Sequence, residues 1–520
     1  MASTDTSQKL SVLPFLEKRP ADQNVYQAIG VEPVINCRGT FTIIGGSVER
    51  PEVLAAMDAA SGFFVQYDEL AMAIGQRLAD ITGAEWGMIS AGCAAGMKHV
   101  TAACVTGGNP EILVRIPDLT GVERTQVIAP RYSRNAYDHA VRNIGVEMVM
   151  VETAEELERA INPRTAMVYL VTGRHTDPGQ PLSLEVVARI AGPRGIPILA
   201  DAAAEDLTIP CVHLQQGADV VTYSGGKALC GPQCAGLVLG RKDLLMSAWQ
   251  ASAPHHGPGR DDKIGKEEIL GMLAAVEAWV TRDHAAEWRT WLTYLETISK
   301  RVAGVRSVIT RVDEPAALSN RAPTLTVSWD PGVLHISGEE VAEDFARQAP
   351  RIAVGSADED GKASVRITPS QMRPGNDAVV ADRLQRILAA PRAPRPAGLE
   401  PAGIDLSGQW DLTVQYFSST SRHRLTLTQD GSWIDGTHQS QFSIQPIAGT
   451  VEGHQVKLRS DARQPGDNVP FMFAGQVCGD AISGTIHLGE YLTATFTGQR
   501  ARSRAPRRPV SIPKGPPLAT

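Results

Sequence analysis

The stretch "TYSGGKALCGP", residues 222–232, sets one lysine, Lys227, behind two glycines in a tight turn that leaves an apolar, strand-like run. On its own it reads as an ordinary surface turn carrying a solvated charge. Upstream, "IPILADAAAEDL" places Asp201 at the C-terminal end of an apolar strand, the edge at which open parallel sheets bind ligands. A helix cap would explain that acid equally well. The third element is "WGMISAGCAAGMKHV", a strand followed by Ser90, Gly92, Cys93 and Ala94 in a small-residue turn that opens a helix. The free N–H groups and positive end of such a helix can hold one phosphate, although the turn is neither a dinucleotide fingerprint nor a Walker A loop.

Together these elements meet one chemical requirement: a phosphate anchor, a carboxylate at a strand end, and a lysine 26 positions beyond that acid. Pyridoxal phosphate needs all three. The lysine forms a Schiff base with it, and the acid keeps the ring nitrogen protonated so that the ring can act as an electron sink. A neutral Asn at 201 would lose that ion pair where water screens poorly. Gly225 and Gly226 are expected to let the backbone approach the cofactor, and Ser224 to offer its hydroxyl to the phosphate.

The run "YSGGKALCGPQCAGLVLGRKDLL" resembles the lysine segment of the family that contains bacterial selenocysteine synthase (seryl-tRNA selenium transferase) and D-glucosaminate-6-phosphate ammonia-lyase. The segments "VINCRGTFTIIGGSVERPEVLAAM", "ELAMAIGQRLADITGAEWGMISAGCAAGM", "RNAYDHAVRNIGVEMVMVE" and "GRDDKIGKEEILGMLAAVEAW" match further, so the resemblance covers residues 28–390. It implies a fold-type I enzyme with active sites at a homodimer interface. It also implies Lys227 as the Schiff-base residue, Asp201 facing the pyridine nitrogen, and Ser90, Gly92, Cys93 and Ser224 near the phosphate, with Ala94, Ala203 and Gly226 beside the cofactor. His139, in "YDHAVR", matches the position that stacks on the ring, and Arg366, in "ASVRITPSQ", the strand that commonly holds a substrate carboxylate. Arg38 replaces the family's usual small residue in "INxxGT" and is a candidate substrate contact. The absence of a long N-terminal tRNA-binding module, the negative charge and an added β domain all count against a tRNA substrate.

The elements that must position these residues follow from hydrophobic patterning. Between about residues 86 and 245, short Val/Ile/Leu runs alternate with helical patterns such as "TAEELERAI", which predicts a mainly parallel sheet covered on both faces. The large α/β domain is expected over 28–284, after an N-terminal arm, 1–27. "GKEEILGMLAAVEAWV" carries Ile269, Leu273, Val276 and Val280 at helical spacing, predicting one long helix that continues towards Val305. A small α/β subdomain is expected over 285–390 and a Pro/Ala-rich linker over 391–403. Beyond it the period changes to two: Trp410, Leu412, Val414 and Tyr416 alternate, and Asp-Gly turns recur, predicting an antiparallel β-barrel or sandwich over 404–500. The basic, Pro-rich tail, 501–520, is expected to be disordered.

The chain has 520 residues, 43% apolar and 21% charged, with a net charge of −7. That balance argues against a broad nucleic-acid or anionic-membrane surface, and the absence of a signal-like or spanning apolar run leads us to expect a soluble, cytoplasmic protein. The seven cysteines suit reduced thiols. Cys230 and Cys234, with His255 and His256 nearby, make a weak zinc signal, and no metal is expected. For a small amino-acid substrate, lysine-assisted removal of the Cα proton leads to α,β-elimination or β-replacement, the outcomes the resemblance favours. Racemisation, with Cys93 as a candidate second acid, and retro-aldol cleavage are the alternatives. A non-catalytic assembly protein is the reading from another class, and retention of both Lys227 and Asp201 counts against it.

Overall fold

The computed structural model describes residues 24–396, 398–501 and Gly515; the first 23 residues of the arm and nearly all of the basic tail lie outside the described residues. Two compact units meet in the chain at Pro394 and Arg395.

Seven apolar runs of the first unit form one sheet, in the order Trp86–Ser90, Gly236–Gly240, Val220–Ser224, Ile198–Asp201, Thr165–Val171, Gln126–Pro130 and Glu147–Val151. Neighbours pair in parallel except at Gly236–Gly240, which runs antiparallel to both of its neighbours. Successive residues of a strand point to opposite faces, and here both faces are covered, so the strands read as unbroken apolar runs. Ile128, Val168, Leu170, Val221 and Leu237 pack on one face with the helices Tyr67–Thr82, Leu184–Ala191 and Lys266–Thr281. Val127, Met167, Tyr169, Leu199 and Val238 pack on the other with Cys93–Thr106 and Lys242–Ala251.

The single long helix expected from Lys266 onward is two helices, Lys266–Thr281 and His284–Val302. The break has a local cause. The Asp283 carboxylate accepts the Ala286 N–H at 2.8 Å and starts the second helix as its N-cap. The buried stripe of the first helix is Ile269, Met272, Ala275, Val276 and Trp279, while Val280 faces outward.

Four strands, in the order Gly355–Glu359, Lys362–Ile367, Thr324–Trp329 and Ile309–Asp313, form an antiparallel sheet. Leu295, Phe345 and Leu384 from three helices join its core. Cys37 belongs to the same core because the early strand Val34–Asn36 pairs in parallel with Arg351–Ala353, a pairing no local pattern announces.

The second unit is a closed antiparallel barrel of eight strands in chain order, from Gly408–Gln415 to Thr493–Arg500, whose first and last strands pair. Trp410, Leu412 and Val414 point inward and alternate with exposed residues. Two histidines also point inward: His423 Nδ1 lies 2.8 Å from His438 Nε2, and His438 Nδ1 lies 2.7 Å from Ser460 Oγ. Among the described residues no helix is long and apolar enough to cross a membrane.

Candidate functional site

The parallel strands end together, and the three sequence elements end with them. Asp201 pairs with Thr222 on the neighbouring strand, and Trp86–Ser90 lies two places further along the sheet. The Asp201 carboxylate is buried. Its Oδ1 accepts the Ala203 N–H at 3.0 Å and lies 3.5 Å from Cys93 Sγ, while Oδ2 accepts the Tyr169 hydroxyl at 3.3 Å. Cys93 Sγ is also 3.2 Å from Thr222 Oγ1, so its single hydrogen serves one acceptor at a time. Burial pushes the Asp201 carboxyl above its ordinary value, opposed by these donors and by the Lys227 charge. Burial, reinforced by the Asp201 charge, holds the Cys93 thiol well up and therefore neutral. Tyr169, a residue the sequence reading missed, looks in "TAMVYLV" like one more core aromatic.

Gly92 sits at φ 87°, a conformation that L side chains resist, and Cys93 begins the helix that follows. The N–H groups of the first helical turn have no partners within the helix. Ser90 is fully buried, and its hydroxyl donates to the Gly92 carbonyl at 2.8 Å. Gly225 and Gly226 are closely packed within the protein. A Cβ on Gly225 would lie 2.5 Å from Met272 Sδ and 2.7 Å from the Ala235 carbonyl, and one on Gly226 would lie 2.2 Å from Gln233 Oε1.

Lys227 is half-buried and opens into a cleft of about 1300 Å³. Arg38, Arg50, Arg282, Arg321, Asp206 and Trp279 are among the residues lining it. Arg38 lies there, exposed, with its guanidinium 4.5 Å over the Phe41 ring. Arg282 and Asp206 were missed: the helix pattern conceals the break that carries Arg282, and Asp206 sits in the strand-to-helix turn behind Asp201. Burial raises the Asp206 carboxyl, opposed by Arg321 at 3.6 Å.

Several candidates lie elsewhere. His139 opens the short helix His139–Arg142, which buries Ala140 and Val141, so His139 is left exposed and does not line the cleft. Arg366 is exposed because Ala363, Val365 and Ile367 of its strand face the core; Thr368 and Gln371 from the following turn line the cleft instead. Cys93 is enclosed beside Asp201 and is not among the residues lining the cleft. Ser224 ends its strand half-buried, and Ala94 lies half-buried in the first turn after Gly92. Among the described residues no group of three or more His, Cys, Asp or Glu side chains is placed to hold a metal ion.

A seven-stranded sheet of this topology, with a lysine turn and a buried acid at the ends of its parallel strands, is the large domain of a fold-type I pyridoxal-phosphate enzyme. Residues 132–259 match the aminotransferase class-V family. The chain is 30% identical over 302 residues to D-glucosaminate-6-phosphate ammonia lyase of Salmonella typhimurium, covering 56% of this chain and 79% of that protein. It is 29% identical over 412 residues to the 5'-C-glycyluridine monooxygenase-decarboxylase of a Streptomyces species, covering 76% of this chain and 99% of that protein. It is 28% identical to L-seryl-tRNA(Sec) selenium transferase of Moorella thermoacetica over 51% of this chain and 60% of that protein. A solved structure of D-glucosaminate-6-phosphate ammonia-lyase superposes with a TM-score of 0.63 at 28% identity, covering 71% of this chain and 98% of that one. The chain belongs to the pyridoxal-phosphate-dependent family that includes D-glucosaminate-6-phosphate ammonia-lyase and the seryl-tRNA selenium transferases.

Proposed function

We propose that the protein is a lyase acting at Cα of a small amino-acid substrate by elimination. The observation that carries the reading is Lys227 facing the cleft at the same sheet edge as the buried Asp201. The donor set suits pyridoxal phosphate: a lysine amine, a buried carboxylate held by Tyr169, Cys93 and the Ala203 amide, and a helix start with free N–H groups. When bound, the cofactor supplies the ring into which electrons from Cα are drawn. Lys227 would hold the cofactor, and its amine, facing the cleft, would carry the Cα proton. Asp201 would hold a proton on the ring nitrogen, and the Gly92–Ala94 turn, with Ser224, would bind the phosphate. Arg38 offers a cation to the substrate's acidic group from the cleft wall.

The ammonia-lyase relative supports elimination over inversion. We further propose that the chain works as a homodimer. Tyr26, Ile29, Phe41, Ile43 and Phe64 are exposed along the N-terminal segment, apolar groups that a partner subunit would cover.

The test compares wild type with Lys227→Ala after adding pyridoxal phosphate, then follows ammonia, carbon dioxide and chirality with L- and D-amino acids. A visible band at about 420 nm, absent from the variant, is expected from general pyridoxal chemistry, with ammonia release marking elimination. No band in wild type would overturn the enzyme reading. Inversion without ammonia would replace elimination by racemisation.

A further inference from the structure

The turn that carries Lys227 is strained and is held from outside itself. Cys230, three residues on, lies at φ 52°, a left-handed conformation uncommon for a residue with a Cβ. Such geometry persists only where the surroundings over-determine it. Within the turn the Cys230 N–H donates to the Lys227 carbonyl at 2.9 Å and the Gly231 N–H to the Gly225 carbonyl at 2.8 Å. The carbonyls of Ala228 and Cys230 are taken up by two arginines from distant parts of the chain. Arg282 Nη2 donates to the Ala228 carbonyl at 3.0 Å, and the backbone N–H of Arg50 donates to the Cys230 carbonyl at 3.3 Å.

The arginines are themselves joined. Glu287 Oε1 is 2.8 Å from Arg50 Nη1, and Oε2 is 3.4 Å from Arg282 Nε. Arg282, with its side chain 9% exposed, lies 4.2 Å over the Trp279 ring, which fixes the plane of the guanidinium. We propose that Arg282 and Arg50, bridged by Glu287, are positioning residues that clamp the Lys227 turn and aim its amine into the cleft. The inference rests on Lys227 being the cofactor lysine. It adds that the lysine's position depends on the break between the helices Lys266–Thr281 and His284–Val302, since Arg282 lies in that break and Glu287 in the first turn of the second helix. A lysine would keep a charge at 282 but lacks the fork that reaches Ala228 and Glu287 at once.

The experiment uses the full chain loaded with pyridoxal phosphate and compares wild type, Arg282→Met, Arg282→Lys, Glu287→Gln and Lys227→Ala. The readouts are the pH midpoint of the visible absorption and the rate of cofactor release into cofactor-free buffer, with thermal melting as the folding control. Arg282→Met is expected to release cofactor about tenfold faster, the loss of one charge-assisted hydrogen bond, and to move the midpoint by at least about half a pH unit. Arg282→Lys is expected between it and wild type, and Glu287→Gln to move both readouts in the direction of Arg282→Met. Wild-type midpoint and release in folded Arg282→Met and Glu287→Gln would overturn the clamp. If Arg282→Met does not fold, the near-isosteric Glu287→Gln decides alone. A visible band retained by Lys227→Ala would overturn the cofactor assignment instead, a result separate from the clamp.

Discussion

Tyr169 and Asp201 come from adjacent parallel strands, and the tyrosine hydroxyl meets Asp201 Oδ2 at 3.3 Å in a place closed to water. Burial drives the Asp201 carboxyl up and the tyrosine opposes that drive, so this aromatic helps to keep the acid charged. Tyr169→Phe is expected to weaken cofactor binding by about fivefold, the worth of one neutral hydrogen bond of about 1 kcal/mol. Asp201→Asn, which removes the charge itself, is expected to cost at least about tenfold. Titration of cofactor-free protein with pyridoxal phosphate, followed by absorbance, measures both.

Gly225→Ala tests whether the turn is shaped by packing. The new methyl would press on Met272 Sδ, which can move, and on the Ala235 carbonyl, which cannot. A destabilisation of about 1–3 kcal/mol is expected, read as a lower melting temperature with cofactor binding weakened although Lys227 is intact. Adding Met272→Ala is expected to leave most of the loss in place, because the clash with the backbone oxygen remains.

The barrel carries its own acid sensitivity. Burial lowers His438 to about 3 and His423 to about 4, with the neighbouring His423 adding to the effect at His438. Both folded values lie below the ordinary 6.5, so the unfolded chain binds protons first as pH falls. The stabilisation is complete above pH 6.5 and is lost as pH drops towards 4 and then 3. The slope approaches about 1.4 kcal/mol per pH unit for each proton taken up. Phe471 packs on both imidazoles and Phe473 on His438, while Ser460 and Gln445 hydrogen-bond to His438. Hydrogen exchange of peptides from 404–501 in the intact chain, corrected for intrinsic rates, is expected to lose protection between pH 6.5 and 4. His423→Gln, which keeps a polar partner but does not titrate, is expected to flatten that loss.

Trp410 is the large anchor of the same barrel. It is fully buried, its indole donates to the Leu406 carbonyl at 2.9 Å, and the Arg500 guanidinium lies 4.4 Å over its ring. Trp410→Ala is expected to cost about 3–5 kcal/mol, whereas Trp410→Phe loses the hydrogen bond while keeping most of the apolar contact. Hydrogen exchange of the same peptides separates the two, with Trp410→Ala the less protected.

The parts of the fold that sequence reveals are those in which period and burial coincide. "TAMVYLV" and "AGLVLG" are unbroken because both sheet faces are covered, and "WDLTVQY" alternates because a barrel strand has one wet face. Lys227 and Asp201 stand out because a charge at the end of an apolar strand has no packing purpose. Tyr169 does not stand out, since nothing local distinguishes a tyrosine that packs from one that also donates. Arg282 and Glu287 are hidden for another reason: continuous helical periodicity runs across the break, and only the Asp283 cap reveals it. Arg366 is read from its motif, and the two-residue alternation of its strand keeps it off the core and on the same side as Thr368, which lines the cleft.

The pairing of Val34–Asn36 with Arg351–Ala353 has a temporal consequence. Its partners are separated by about three hundred residues, so a ribosome adding about 5–20 residues per second delivers the second strand roughly 15 s to a minute after the first. During that interval the early segment has no sheet to join, and its neighbours Tyr26, Ile29, Phe41 and Ile43 are apolar groups that remain exposed even in the finished fold. The growing chain therefore carries these apolar groups beside a strand that has no partner until residues 351–353 emerge.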